Sequence, residues 1–135
     1  MKSTAFYFLV MTNRTILITS YIEGYNEFDV DKMVENFDEH IVFENISSGE
    51  TNMLLTGLKA FKEQATQALQ YFSSRNQTIL SLTHRNNETE IEIDYNATLA
   101  IDFPNGLKKG DEIKLRGKSI FKFSGNRITG LTDIS

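Results

Sequence analysis

Hydrophobic residues recur at helical spacing in three segments of the first half of the chain. Between Ile16 and Tyr25 they form one apolar stripe, which predicts a first helix. Asp29 is a typical N-cap residue and predicts a short second helix directly after it. Beyond Gly57, the segment LKAFKEQATQALQYF predicts a third, amphipathic helix. Between the second and third helices, HIVFENI has strand composition and the polar SSGETN predicts a loop.

After Ser74 the pattern changes to that of a sheet. The segments QTILSLTH, TEIEIDYNATLAIDF, IKLRGKSIFKF and RITGLTDI predict four strands joined by hairpin-like turns. In the longest of them apolar residues fill every second position from Ile91 to Phe103, so one face of the sheet should be buried. Pro104 follows this strand, where it leaves the hydrogen-bond ladder intact. The order of elements predicts an α+β domain with helices covering one face of a curved, antiparallel sheet.

Composition and charge narrow the functional classes. The 135 residues are 40% hydrophobic and 24% charged, as in a single soluble globular domain. The net charge of -4 and the absence of a Lys/Arg-rich block argue against nucleic acid as a partner. The chain has no cysteine, which excludes disulfides, a thiolate nucleophile and sulfur ligands for a metal. We therefore expect a cytoplasmic protein with no nucleic-acid and no membrane partner.

The first residues, MKSTAFYFLVM, combine one lysine with a short apolar run. The run is too short to span a bilayer and no small-residue cleavage site follows it, so it does not indicate a signal peptide. Met11 is a second potential start, and residues 1–10 are either an upstream addition or an arm that packs on the domain. We interpret residues 1–13 as an N-terminal extension and residues 14–135 as one domain.

Three segments, YNEFDVDKMVENFDEHIVFE, TGLKAFKEQATQAL and KSIFKFSGNRITGL, carry a family resemblance. Over about residues 14–134 the chain resembles the SnoaL-like and ketosteroid-isomerase-like branch of the nuclear transport factor 2-like superfamily. The resemblance implies a cone-shaped barrel, in which a strongly bent, mostly antiparallel sheet wraps around three helices from the N-terminal half. It also implies a pocket for a small, largely apolar organic molecule, and a homodimer formed through the convex face of the sheet.

Ketosteroid isomerases use an aspartate base and an oxyanion hole made of a tyrosine and a protonated aspartate. The resemblance places these three positions at Tyr21, Asn45 and Ser119, where Asn45 stands for the base. An amide cannot take a proton from a carbon acid, so the isomerase mechanism is not expected. Ser119 can donate a hydrogen bond, though more weakly than a neutral carboxylic acid. The resemblance implies a pocket lined by Tyr21, Phe43, Asn45, Phe61, Ser119 and Phe121.

Other polar residues give weaker signals. Alternation places Glu44 on the opposite face from Asn45, so Glu44 would reach the pocket only through a register shift or a bulge. Asp94 lies on the polar face of the longest strand, where a solvated carboxylate is ordinary. His40 and His84 have no metal-ligand spacing, and neither a metal nor a cofactor is predicted.

Three functions remain open from the sequence. The favoured one is a homodimeric module that binds a small organic molecule, and the second is an isomerase- or cyclase-type enzyme acting on a cyclic carbonyl compound. The third is a structural dimerisation module. An enzyme should hold a carboxylate or a histidine with a perturbed pKa inside the cavity, whereas a binding module needs only neutral donors and acceptors.

Overall fold

The computed structural model describes residues 3–135 and has three α-helices on one face of a six-stranded sheet. The helices are α1 (Thr4–Asn26), α2 (Val30–Val34) and α3 (Leu58–Ala68), and a 3₁₀ turn follows α3 at Leu69–Tyr71. The strands are β1 (Phe37–Ser47), β2 (Glu50–Thr56), β3 (Phe72–His84), β4 (Glu88–Leu99), β5 (Glu112–Ser124) and β6 (Arg127–Ile134). The predicted α+β class is confirmed.

The sheet has the order β2-β1-β6-β5-β4-β3. Only β1 and β6 run parallel, and every other neighbouring pair is antiparallel. Irregularities in register occur in several strands, and such bulges bend and twist a sheet locally. The parallel pair makes the sheet a mixed one. Within residues 3–135, β2 and β3 form two free edges, so the sheet is open and does not close into a complete barrel.

The predicted loop SSGETN is wrong except at Ser48 and Gly49, because Ser47 ends β1 and Glu50 starts β2. Ser48 and Gly49 both have positive φ, 53° and 79°, which suits a tight two-residue hairpin turn between β1 and β2. Most of β2 is exposed at the edge of the sheet. Its sequence therefore lacks the clean alternation that a half-buried strand requires.

Helix α1 begins twelve residues before the predicted start at Ile16, at Thr4. Ser3 caps it, since its side-chain oxygen accepts a hydrogen bond of 3.1 Å from the backbone N–H of Phe6. The residues from Ala5 to Met11 are apolar on all sides of the helix, so they show no stripe from which a helix could be predicted. No helix within residues 3–135 is long and apolar enough to cross a membrane.

One hydrophobic core lies between the helices and the sheet. The predicted apolar face of β4 contributes Ile91, Ile93, Ala97 and Leu99, but the strand ends at Leu99 and Ile101 is 39% exposed. The predicted extension of this strand to Phe103 is therefore wrong. The largest side chains that are fully buried come from α1 and four of the strands: Ile18, Ile41, Ile91, Leu99, Phe121, Ile128 and Leu131.

The junction of α1 and α2 fixes the end of α1 over the sheet. Asp29 accepts a hydrogen bond of 3.0 Å from the backbone of Lys32, as expected of an N-cap. Gly24 permits the close approach of the two helices, because a Cβ atom there would lie 2.7 Å from the backbone nitrogen of Met33. Asn26 exchanges two hydrogen bonds with the backbone of Gln77 on β3. The last turn of α1 is thereby held above the inner face of the sheet.

Candidate functional site

A cavity of about 230 Å³ opens between the end of α1 and the inner face of the sheet. We call it the sheet cavity. Strand register builds its floor: Asp133 on β6 lies directly beside Asn45 on β1 and beside Ser119 on β5. Its lining includes the polar residues Tyr25, Asn45, Gln77, Tyr95, Lys118 and Asp133 and the apolar residues Ile93, Leu115 and Ile134. One helix and five strands thus bring polar groups to one small, partly apolar space.

Asp133 is the carboxylate of the sheet cavity. One of its oxygens, Oδ1, accepts a hydrogen bond of 2.7 Å from the hydroxyl of the buried Ser119. No lysine, arginine or histidine of residues 3–135 lies within ion-pair distance of it. Burial therefore raises the pKa of Asp133 from 3.8 to about 6, and the hydrogen bond from Ser119 opposes this rise. The group can both release and accept a proton near neutral pH.

Ser119→Ala should raise the pKa of Asp133 above about 6, because the hydrogen bond that favours the ionised carboxylate is lost. A ¹³C NMR titration of the aspartate side-chain carboxyl carbons measures this change. Ser73→Ala is the matched control, since the Ser73 hydroxyl bonds only the backbone of Thr98 at an exposed site. A pKa in Ser119→Ala equal to or below that of the unaltered protein would contradict the role of this hydrogen bond.

Two tyrosines face each other at the other side of the sheet cavity. The hydroxyl oxygens of Tyr25 and Tyr95 lie 2.7 Å apart, so one hydroxyl donates to the other. Burial raises the pKa of Tyr25 and also that of Tyr95, so both phenols stay protonated at neutral pH. Only one of the two protons is used within the pair. The other can be donated to a ligand oxygen in the cavity.

Arg75 on β3 supports this tyrosine pair from behind. Its guanidinium carbon lies 3.8 Å from the ring centroid of Tyr25, and its Nε donates to the Tyr25 carbonyl at 2.8 Å. The ring of Phe28 lies on it as well, at 4.6 Å. Arg75 is buried and has no carboxylate within ion-pair distance in the described part of the chain. Its positive charge lowers the pKa of Tyr25, by less than burial raises it.

Comparison with known proteins identifies the family. The family model for the SnoaL-like domain matches residues 18–131, which is most of the chain. The chain belongs to the SnoaL-like family. The predicted resemblance to the SnoaL-like and ketosteroid-isomerase-like branch of the nuclear transport factor 2-like superfamily is confirmed. A comparison with curated proteins finds no match.

Solved structures show the same fold at low sequence identity. A proposed polyketide cyclase from Xanthomonas campestris pv. campestris is 18% identical with a TM-score of 0.73, over 92% of this chain and 90% of the other. A proposed SnoaL-like polyketide cyclase from Jannaschia sp. CCS1 is 10% identical with a TM-score of 0.74, over 90% and 84%. An LEH-like epoxide hydrolase from M. tuberculosis is 13% identical with a TM-score of 0.72, over 91% and 82%.

The three polar positions that the resemblance implied lie close to one another in this SnoaL-like domain. Asn45 lines the sheet cavity, and its amide donates to the Asn52 side chain at 2.8 Å. Ser119 lies beneath the cavity and reaches it through Asp133. Tyr21 is buried, and the charge of Asp133 adds to burial in raising its pKa. Ser119 thus bonds Asp133 directly, Asn45 lies beside it in the sheet, and Tyr21 is near enough to be affected by its charge.

The three phenylalanines that the resemblance implied form a connected group with Tyr21. Phe121 is fully buried and meets the Tyr21 ring edge-on at 5.6 Å. Phe37 stacks on the other side of Tyr21 at 5.5 Å and contacts Phe61, which in turn contacts Phe43 at 5.4 Å. None of the three lines the sheet cavity as the structure describes it. Phe61 and Phe121 belong to the hydrophobic core, and Phe43 packs against it.

Other candidate residues of the SnoaL-like domain lie elsewhere. Glu44 accepts a hydrogen bond from Thr51 and does not line the sheet cavity, although β1 has a bulge directly after Asn45. Asp94 pairs with Arg116 at 3.7 Å on an exposed face. Among residues 3–135, no three histidine or acidic side chains are grouped as a metal site would require.

Sequence reasoning missed Asp133, together with Tyr25, Gln77 and Tyr95. A signal for Asp133 was present, because it follows Leu131 by two positions on β6 and so shares the inner face of that strand. A carboxylate on an apolar face is the unusual feature that merits a functional hypothesis. That Asn45 and Ser119 lie next to Asp133 follows only from the strand register.

Proposed function

We propose that this SnoaL-like domain is an enzyme that moves a proton on a small, largely apolar carbonyl compound, with Asp133 as the general base and acid. The observation that carries the proposal is the pKa of Asp133, which burial raises to about 6 inside a cavity. A pKa near the working pH lets one carboxylate both take and return a proton efficiently. This is the feature expected of an enzyme rather than of a binding module.

The geometry supports a simple sequence of steps. The ionised Asp133 takes a proton from the carbon next to the carbonyl group, and the electrons of that C–H bond move toward the carbonyl oxygen. The hydroxyl proton that the Tyr25–Tyr95 pair does not use is donated as a hydrogen bond to this oxygen as it gains negative charge. Protonated Asp133 then returns the proton to the same carbon, which gives exchange. Where the substrate has a C=C bond conjugated with the enolate, the proton returns instead to the far carbon of that double bond, and the double bond moves into conjugation with the carbonyl group.

The size of the sheet cavity limits the substrate. At about 230 Å³ it is below the roughly 300–1,000 Å³ of ordinary drug-sized sites. A molecule with one ring, or one ring of a larger molecule that projects outward, fits this volume best. The amides of Asn45 and Gln77 offer neutral donors and acceptors for its substituents. The structural neighbours that are proposed polyketide cyclases add support for a carbonyl substrate.

A module that binds the same class of molecule without chemistry is the second candidate, and the neutral amides of the cavity favour it. The resemblance further supports a homodimer, and the absence of cysteine agrees with a cytoplasmic location. Neither is required for proton transfer, because every group in the proposed steps belongs to one chain. Proton transfer that depends on Asp133 therefore distinguishes the enzyme from the binding module.

Exchange of α-protons in D₂O tests the proposal. With a panel of one-ring ketones and β-dicarbonyl compounds, followed by ¹H NMR, the protein should accelerate exchange of at least one compound. Its rate should rise with pH through about 6 and then level off, because only the ionised carboxylate accepts a proton. Asp133→Asn should lower the catalysed rate by about 100-fold or more.

Asp94→Asn is the matched control, since it makes the same change on the exposed face of the sheet and should leave the rate unaltered. Two results would contradict the proposal: an Asp133→Asn rate equal to that of the unaltered protein, or no acceleration of any compound in the panel. Stoichiometric binding without exchange would instead favour the binding module.

A further inference from the structure

A second, larger cavity lies at the opposite end of α1 from the sheet cavity. It has a volume of about 960 Å³ and runs between the N-terminal half of α1 and the turns that join β3 to β4 and β5 to β6. We call it the N-terminal groove. Val10, Met11 and Phe123 supply apolar walls, and Arg14, His84 and Asn86 supply a polar end. Arg14 is eleven residues from Tyr25, or about 16 Å along the helix, so the two cavities are separate sites.

Arg14 gives the polar end of the groove a positive charge. It is buried and donates hydrogen bonds to the carbonyls of Arg85 at 2.7 Å, Asn86 at 2.5 Å and Glu88 at 3.4 Å. Its guanidinium carbon also lies 5.2 Å from the ring centroid of Phe123. Carbonyl dipoles accept these bonds without cancelling the charge, and no acidic side chain of the described chain pairs with it. A buried cation of this kind favours an anion nearby.

The other polar residues of this end of the groove are neutral donors and acceptors. The Nδ1 atom of His84 lies 2.8 Å from the Thr89 hydroxyl, and burial together with the charge of Arg14 lowers the pKa of His84, which favours the neutral ring. Asn86 and Asn126 add amide donors. Among residues 3–135, no Asp or Glu side chain lines the groove, although the whole chain carries a net charge of -4. The groove is therefore a positive site on an acidic protein.

The apolar end of the groove exposes hydrophobic side chains to water, and a bound apolar group would cover them. Tyr7, Leu9 and Met11 are 53%, 66% and 37% exposed, and all three line the groove. Burial of such surface contributes roughly 25 cal/mol for each Å². A ligand that combines an apolar chain with one anionic end would cover these side chains and place its charge near Arg14.

We propose that the N-terminal groove binds an amphipathic carboxylate of the fatty-acid class, with its chain along Val10 and Met11 and its carboxylate at the polar end formed by Arg14 and His84. The volume of the groove lies within the range of sites for ligands of this size. This inference does not depend on the proposed function of the sheet cavity.

Isothermal titration calorimetry with decanoate and with decyltrimethylammonium tests the inference. Decanoate should bind with one site per chain, and the cation of equal chain length should bind at least tenfold more weakly. Val10→Asp, or Met11→Asp if the first variant does not fold, should weaken decanoate binding at least tenfold. Leu54→Asp is the matched control, because Leu54 is 62% exposed on β2 and does not line the groove, and it should bind decanoate normally.

Three results would overturn the inference. They are the absence of decanoate binding, equal affinity for decanoate and the cation, and unchanged decanoate binding in a folded groove variant. Light scattering on the same samples tests whether a second copy of the chain occupies the groove instead. A dimer that is dissociated by Val10→Asp but not by decanoate would assign the groove to a second copy.

Discussion

Replacing Asp133 with asparagine should stabilise the protein by about 2 kcal/mol at pH 8. The rise in its pKa from 3.8 to about 6 means that the ionised carboxylate costs the folded state about 3 kcal/mol relative to the unfolded chain. Asparagine removes this cost and keeps an oxygen that can accept the hydrogen bond from Ser119. Its new amide N–H group also needs a partner, which subtracts about 1 kcal/mol.

The effect of this substitution should depend on pH with a definite sign. Between about pH 4 and 6 the folded state holds the proton on Asp133 more tightly than the unfolded chain does, so stability falls as the pH rises through this window. The advantage of Asp133→Asn should therefore be near zero at pH 4 and complete above about pH 7. Urea unfolding at pH 4, 6 and 8 measures it.

Asp94→Asn provides the control for the stability measurement. Asp94 forms only an exposed ion pair with Arg116, and its replacement should change the free energy of unfolding by less than about 1 kcal/mol. Destabilisation of Asp133→Asn at pH 8 would mean that the carboxylate is solvated or paired in the folded protein. A gain at pH 8 together with loss of proton exchange is the pattern expected when a catalytic group is held at the expense of stability.

Phe121→Ala should destabilise the protein by about 4 kcal/mol. The side chain is fully buried and contacts the ring of Tyr21. Its truncation removes buried apolar surface and leaves an empty space in the core that the neighbouring side chains fill only in part. Thermal or urea unfolding at pH 7 measures the loss. The result distinguishes a core residue from a residue that only contacts a ligand, because truncation of a ligand-lining side chain facing solvent costs far less.

Phe8→Ala makes the same change at a site where the ring is 71% exposed. It should alter the free energy of unfolding by less than about 0.5 kcal/mol. If Phe121→Ala were as mild as Phe8→Ala, the assignment of Phe121 to the hydrophobic core would be wrong.

The parts of the fold that could be predicted from the sequence are those with a clear hydrophobic period. Helix α3 and strand β4 each bury one face, and that burial leaves a repeat of 3.6 residues in the helix and of 2 residues in the strand. Edge strand β2 and the first turns of α1 were missed because neither has one buried face. One is largely exposed, and the other is apolar on all sides.

Part of the candidate site could be predicted from the sequence. Asn45 and Ser119 were found because the resemblance assigns them positions, but the amide of Asn45 cannot act as a base, so catalysis was not expected there. Asp133 lies 88 residues further along the chain and becomes its neighbour only through the parallel pairing of β1 with β6. Such register is not encoded in local periodicity, so the carboxylate of the site could not be placed beside the amide.

Asp133 is a partly buried carboxylate, and its pKa decides whether it can serve as a base near neutral pH. A ¹³C NMR titration of the side-chain carboxyl carbons, with Asp133→Asn used to assign the signal, measures this pKa. We expect a pKa of about 6 for Asp133. A value near 4, the ordinary value for a solvated aspartate, would contradict both the structure of the sheet cavity and the proposed role of Asp133 in proton transfer.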